Sequence, residues 1–291
     1  MYKTQEPNTM LKNKTTTLLL SLILFFTSCN LSDPHGIKKL VKLDQEDVIE
    51  ITLNNFDKET KPPIYRYKSG EVISLDKIKK TDPLEWGYDY YASSNHEIKV
   101  VILRKPTHED TLFQRRLIAA IKERKRTEVE LVDIDCDKID KMLAHIRFMD
   151  QENRSSGMVN ENIELENLTK VVSILEICGM PTVEEVGNNG INTVWIIIQH
   201  AGPHYRSKYF HLFEDATERG DLQPYKLAMM EDMIFLDSGK PQKYGSQIVF
   251  NSKTGEMEIY SLQDPANVNH RRAQVGLEPI EDYMGQFESE E

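Results

Sequence analysis

The 291-residue chain has only three cysteines, Cys29, Cys136 and Cys178, and no Cys-x-x-Cys or Cys/His spacing that would hold zinc. It has no Gly-rich phosphate loop. Gly187-Asn-Asn-Gly190 is too short for one and reads as a turn before a helix. No G-x-S-x-G nucleophile elbow is present, and Ser246, which follows a glycine, has no partner pattern. Positive charge is in deficit, with 36 Lys and Arg against 47 Asp and Glu, for a net charge of −11. That argues against the basic face which nucleic-acid phosphates demand. It also argues against docking on anionic lipid by charge. The strongest apolar run, Leu18–Phe26, falls well short of the roughly 20 residues that cross a bilayer. No internal repeat is visible, and no motif calls for a cofactor or a metal.

What the chain does have begins with that short run. Lys12 and Lys14 precede it, and it stops at Thr27-Ser28-Cys29. A short basic region, an apolar core and small residues ahead of a cysteine make an export signal over residues 1–28. The placement of Cys29 resembles a bacterial lipobox, in which cleavage leaves that cysteine as a lipid-modified N-terminus. A simple secretory signal without lipid is the alternative, because Phe26 stands where a lipobox usually has Leu, Val or Ile. Met10 offers a second start with a tighter basic region. A multiply acylated cysteine would anchor stably, since one chain alone binds a membrane only marginally. Residues 29–36 read as a polar, turn-forming tether. The expected location is the bacterial cell envelope, lipid-anchored, with the globular part outside the cytoplasm. There Cys136 and Cys178 form either one disulfide or two buried thiols.

About 260 residues follow the signal, enough for one large or two modest domains. A hydrophobic content of 39%, with 12 Tyr, 10 Phe and 2 Trp, supplies a core. Two stretches read differently, giving an α+β chain. Residues 37–130 form a small α/β segment, with strands predicted at Asp47–Leu53, Pro63–Tyr67 and Glu97–Leu103 and a helix at Glu109–Arg124. Residues 55–97, rich in Lys, Asp, Tyr and Pro, are expected to hold long loops. The basic patch Lys122–Arg126 reads as a solvated helix end. Residues 131–287 read as a mainly α-helical domain with one β-hairpin. Ile139, Met142, Leu143, Ile146 and Met149 recur at helical spacing over 137–154, and Leu165, Leu168, Val172 and Leu175 over 162–178. Gly179 and Pro181 end that helix. The segment Val194-Trp-Ile-Ile-Ile198 is apolar all round, so its helix is central and buried. Gly202-Pro203 breaks it, and helices follow to Arg219 and over 224–236. Gln247–Phe250 and Glu256–Leu262 flank a five-residue loop as a hairpin. A last helix runs from Asp264-Pro265 to Gly276, and the acidic tail 288–291 is expected to be disordered.

Several fragments resemble an uncharacterised family of bacterial proteins classed only as a domain of unknown function. They are Asp150-Gln-Glu-Asn-Arg154, Gly179-Met-Pro-Thr182, Trp195-Ile-Ile-Ile-Gln199-His200-Ala201, Leu227-Ala-Met-Met-Glu-Asp232, Gly239-Lys-Pro-Gln242-Lys-Tyr244-Gly245-Ser246-Gln247 and Asn267-Val-Asn-His-Arg271-Arg272 with Gly276-Leu277. They cover about 137–285. The chain departs from the pattern twice: Gly202 stands where an acidic residue often follows Gln-His-Ala, and Met233 where an Arg usually follows the aspartate. The family supplies no activity, so the resemblance implies a domain and a candidate site only.

His200 is the first candidate for chemistry, as a general acid or base. It ends an apolar helix, where the dipole favours the charged imidazole. The alternative is a histidine that bonds the last helix carbonyls. His204 and His211 tempt a metal reading, but the Gly202-Pro203 break spoils the four-residue spacing from His200. Tyr244, with Gln242 and Gln247 around Gly245, offers a phenol and two amides that would read a polar ligand, or else tie the loop into the hairpin. Asp150 and Arg154 are an i,i+4 ion pair, or, if buried beside His200, they orient it. Asp232 and Arg272 read first as a salt bridge. The function that follows is a binding or interaction module of the envelope. Its polar pocket is built from Gln199, His200, Gln242, Tyr244 and Gln247, and its partner is a small polar ligand or an envelope protein. An enzyme (hydrolase or lyase) using His200, and a structural envelope component, are the alternatives. The enzyme reading predicts that His200, Tyr244 and a carboxylate meet in one cleft.

Overall fold

The computed structural model of the chain describes residues 35–126, 128–155, 159–251 and 255–287. The signal 1–28, Cys29, most of the tether and the acidic tail 288–291 lie outside the described residues. So do residues 156–158, between the helices read over 137–154 and 162–178, and residues 252–254 of the hairpin loop.

The chain opens with β1 (Val41–Lys42), α1 (Gln45–Asn54), β2 (Ile64–Tyr67), β3 (Val72–Ile73), α2 (Leu75–Lys79), β4 (Gly87–Ala92), β5 (Ile98–Arg104) and α3 (His108–Arg124). The stretch Asp47–Leu53, predicted as a strand, is helix α1. Its β-branched residues suggested a strand, but Asp44 caps the first turn by accepting from Asp47 N at 2.9 Å. Val48 and Ile51, three apart, are the side chains it buries. Residues 55–97 are also more ordered than expected, since β3, α2 and β4 lie within them. The strands form one sheet in the order β1-β4-β5-β2-β3. β2 runs parallel to β5, with Ile64 opposite Val100, and the other pairs are antiparallel. Central β5 buries Val100–Leu103, as its unbroken β-branched run requires.

Arg104, at the end of β5, fixes α3 to this sheet. Its guanidinium takes both oxygens of Asp110, at 2.7 and 2.8 Å, and reaches Asp89 at 3.1 Å. Asp110 also closes a capping box with Thr107 at the start of α3. A Cβ at Gly87 would meet the Arg104 guanidinium and the Asp110 carboxylate, so a side chain there would displace this pair. α3 packs on α1 and β4 and also on α7 and α8, so it joins sheet to helices. Its buried residues include Leu112, Phe113 and Ala119, while Ile118 is exposed.

The helical part comprises α4 (Ile139–Ser155), α5 (Glu161–Ile177), α6 (Val183–His200), α7 (Pro203–Glu218) and α8 (Pro224–Asp237). The hairpin β6 (Ile248–Asn251) and β7 (Glu256–Ile259) follows, then α9 (Val268–Gln274) and α10 (Ile280–Gly285). Leu143, Ile146, Val171, Ile174, Val194, Ile198 and Phe213 are fully buried in the core shared by α4 to α7. α6 starts with a capping box between Thr182 and Glu185 and is interrupted at Gly187, whose φ of 68° is left-handed. The turn read at 187–190 is therefore a kink near the start of the helix. Cys136, just before α4, is bonded to Cys178 at the end of α5, with a Cα–Cα distance of 5.8 Å. Contacts join Pro34–Glu291 into one unit, and the fold class is α+β.

Candidate functional site

Along α4 the buried stripe Ile139, Leu143, Ile146 continues to Asp150, which is 2% exposed. An acid on the apolar face needs partners. Arg154, one turn on, donates from Nε to Asp150 Oδ1 at 3.1 Å and from Nη2 to Glu164 Oε1 of α5 at 2.6 Å. Gln151 adds a bond to Oδ2 at 3.2 Å.

α6 delivers His200 to this group. From Gly190 to Gln199 no residue of the helix is exposed, and the next, His200, has a side chain one third exposed. His200 Nδ1 lies 3.9 Å from Asp150 Oδ1, adjacent to it but beyond hydrogen-bond range. Burial holds the His200 pKa below its ordinary value of 6.5; the Arg154 charge lowers it further, and Asp150 only partly offsets this. That shift favours the neutral imidazole, the opposite of what a bare helix C-terminus implies. The terminus is not bare. Arg206 of α7 is 4% exposed and donates from Nη1 to the carbonyls of Gln199, at 2.9 Å, and Ala201, while Nη2 pairs with Asp237 of α8. Arg206 thus takes the carbonyl-capping role weighed for His200.

His200 opens onto a cleft with two lobes, of about 420 and 410 Å³. One runs between α4, α5 and the end of α3, past Asp150, Leu165 and Tyr205. The other runs between α3 and α8, past Arg115, Gln199, Arg206 and Met233. Lys122, Arg154, Glu164, His200 and Gly202 border both. Gly202 and Met233, the two departures from the family-like pattern, therefore both face the second lobe. Gln199 is 8% exposed, and its side-chain oxygen accepts no hydrogen bond.

The other candidates gather elsewhere, as a clasp on the loop after α8. Asp232, fully buried, accepts from the backbone N–H groups of Lys243 at 2.6 Å and Tyr244 at 3.0 Å with one oxygen, and from Ser246 at 2.9 Å with the other. Burial pushes its pKa up, while those three donors pull it down. From the other side Arg272, 1% exposed, donates to the carbonyl of Tyr244 at 2.8 Å and of Glu278 at 2.6 Å. The two residues meet through this loop rather than as a pair. Gln242, fully buried, donates to the carbonyls of Gln247 and Tyr260, both at 3.0 Å, and accepts from Gln247 N at 2.9 Å. Gly245 has a left-handed φ of 70°, and a Cβ there would meet Ile280 at 2.6 Å. Tyr244 is 7% exposed, and neither it, Gln242 nor Gln247 borders the His200 cleft. Asp150, Arg154, Gln199 and His200 are brought together; Asp232, Gln242, Tyr244, Gln247 and Arg272 form the clasp.

Sequence reasoning missed Arg115, Lys122, Glu164 and Arg206 as parts of the cleft. Lys122 stood out only as part of a basic helix end. His204 lies 3.6 Å from Glu123 and edge-on to Tyr205, not with His200. Among the described residues no group of three or more His, Cys, Asp or Glu could hold a metal ion, and no helix is long and apolar enough to cross a membrane.

Fold and site define an α+β protein with a polar cleft at the end of a buried helix. Residues 150–290 match a family described as a family of unknown function (DUF6624), an uncharacterised family of the kind those motifs resemble. Comparison with curated proteins and with solved structures gives no match.

Proposed function

We propose that the chain is a cell-envelope lipoprotein, anchored through lipid on Cys29, whose folded part binds a small polar ligand in the cleft around His200. The observation that carries the binding reading is the contrast between two glutamines. Gln242 is buried with three hydrogen bonds, as a structural amide should be. Gln199 is nearly as buried, beside His200, with its acceptor unmet. A buried polar atom without a partner costs about 1–3 kcal/mol, a cost that a ligand would recover. The anchor reading rests on the basic, apolar and small-residue pattern ahead of Cys29. The Cys136–Cys178 disulfide supports an oxidising compartment. The acidic surface leaves nucleic acid out of the partners considered.

The binding test is a thermal-shift screen of envelope metabolites and glycans against the full chain and its His200→Ala variant. A compound that stabilises the first and not the second supports the reading. A panel without such a compound, with both proteins folded, counts against it. The anchor is tested by metabolic labelling with an alkyne fatty acid. Label on the wild type and none on Cys29→Ser is expected, and no label on either overturns it. An enzyme using His200 as general acid or base, without Tyr244, which lies outside the cleft, is a second reading. It is favoured by the imidazole, whose pKa burial lowers, standing beside a buried carboxylate. A turnover assay on any compound the screen finds separates it from binding alone.

A further inference from the structure

The two lobes of the cleft differ in charge. The one between α3 and α8 is bordered by Arg115, Lys122, Arg154 and Arg206 against Glu164 and Asp237. Both carboxylates are already engaged, Glu164 by Arg154 and Asp237 by Arg206. Arg115 and Lys122 have no carboxylate partner among the described residues. The Arg115 guanidinium lies over the Tyr260 ring at 4.8 Å and, among the described residues, donates to the Met233 sulfur at 3.8 Å and to no other acceptor. Its Nε, like that of Arg206, is buried without an acceptor. The helix α7 begins at the same place, with Gly202 at its cap, no side chain satisfying it, and Pro203 next. Its positive end adds to the same field. On a protein of net charge −11, this is a local surplus of positive charge and donors around one space of about 410 Å³.

We propose that this lobe is an oxyanion subsite, which takes the carboxylate or phosphate end of a small ligand between Arg115 and Lys122, with a hydroxyl or amide N–H of the same ligand donating to Gln199. The chemistry of the groups fixes the class. Two unneutralised cations call for an anion, and charge-assisted bonds to a carboxylate or phosphate are the strong ones. The unmet Gln199 oxygen calls for a donor, which a bare anion lacks. This inference rests on the cleft being a ligand site and adds the class of ligand.

Gly202 supplies a test that spares the fold. A Cβ at Gly202 meets nothing within 4 Å, and its φ of −64° suits any residue. Asp is a favoured helix cap, so Gly202→Asp should keep or raise stability while placing a carboxylate among the cations. The experiment is calorimetric titration of the full chain at low salt with inorganic phosphate and, separately, succinate. Neutral polyols and amides run alongside, and Lys122→Ala, Gly202→Asp and His200→Ala serve as variants. The expected result is that one of the two anions binds the wild type and that Lys122→Ala and Gly202→Asp each weaken it at least about tenfold. Which anion binds tells a phosphate ligand from a carboxylate one. No anion binding up to about 10 mM, or binding unchanged in both variants, overturns the subsite. If a neutral compound then binds in a manner lost with His200→Ala, the cleft reading stands and only the anion assignment falls. If nothing responds to His200→Ala, both fall.

Discussion

Replacing Asp232 should unfasten the loop after α8, and the size of the effect follows from its bonds. The carboxylate accepts three backbone N–H groups at 2.6, 3.0 and 2.9 Å with no exposed surface. Hydrogen bonds to a charged group contribute about 1.5–3 kcal/mol each. The full sum is not lost in Asp232→Ala, because Lys243 N is only part-buried and can turn to water, and because the cost of burying the charge is returned. The Tyr244 and Ser246 donors lie inside and have no other acceptor. Two buried donors left without an acceptor, at about 1–3 kcal/mol each, give a loss of about 3–5 kcal/mol. With an m-value of about 3 kcal/mol per M, the urea midpoint should fall by roughly 1–1.7 M. Asp232→Asn keeps the acceptor facing Lys243 and Tyr244 but sets an NH2 against the Ser246 N–H, so it should lose about 2 kcal/mol. Hydrogen exchange at Tyr244 and Ser246 should accelerate more than that of the α4–α6 core. A midpoint shift below about 0.3 M for Asp232→Ala would refute the reasoning and reopen Asp232 as a ligand-facing group.

Three further outcomes are expected. Reducing Cys136–Cys178, or replacing Cys178 by Ser, releases a loop spanning 42 residues and should cost about 2–4 kcal/mol, read by urea unfolding with and without reductant; no difference would mean that the thiols are unpaired in solution. His200 has a folded pKa below 6.5, so the unfolded chain takes up its proton first. Its contribution is present above pH 6.5 and is lost as pH falls from there through the folded pKa; the wild type should therefore lose more stability than His200→Gln on acidification, and an NMR titration placing His200 at or above 6.5 would contradict this. Gln199→Leu removes an unmet buried acceptor at similar volume, so the free protein should be as stable as the wild type or up to about 1 kcal/mol more stable, while ligand binding falls; a clear loss of stability would show that the amide is structural.

The helical half was legible because its signals are local. Ile139, Leu143 and Ile146 repeat at helical spacing, Gly179 and Pro181 stop α5, and Pro203 and Pro224 open α7 and α8. The sheet half was less so. In α1 the β-branched run Asp47–Leu53 masked an amphipathic turn, and only the Asp44 cap with Val48 and Ile51 on one side betrays the helix. β1 and β3 have two residues each, and they exist because β4 and β2 pair with them. A strand of two residues is too short to show a periodicity of its own.

The candidate residues divide by a property that residue type does not show, namely whether their hydrogen bonds are met within the fold. Gln199 and Gln242 are the same side chain, both buried, and both sit in a family-like motif. Gln242 faces a loop whose backbone supplies its three partners, while Gln199 faces a space bordered by side chains from α3, α7 and α8. Two features of the sequence do anticipate the cleft. Asp150 falls on the buried stripe of α4, where an acid needs a reason, and Arg154 follows at the spacing that meets it. Arg115 and Lys122 could not have been added by the same reasoning. They come from the helix fixed to the sheet by Arg104 and Asp110, and only that docking sets their charges against the end of α6. A motif rich in specific polar residues is therefore as good a sign of a clasp as of a site. The proposed cleft rests instead on a polar group that the fold leaves unanswered, the Gln199 oxygen beside His200.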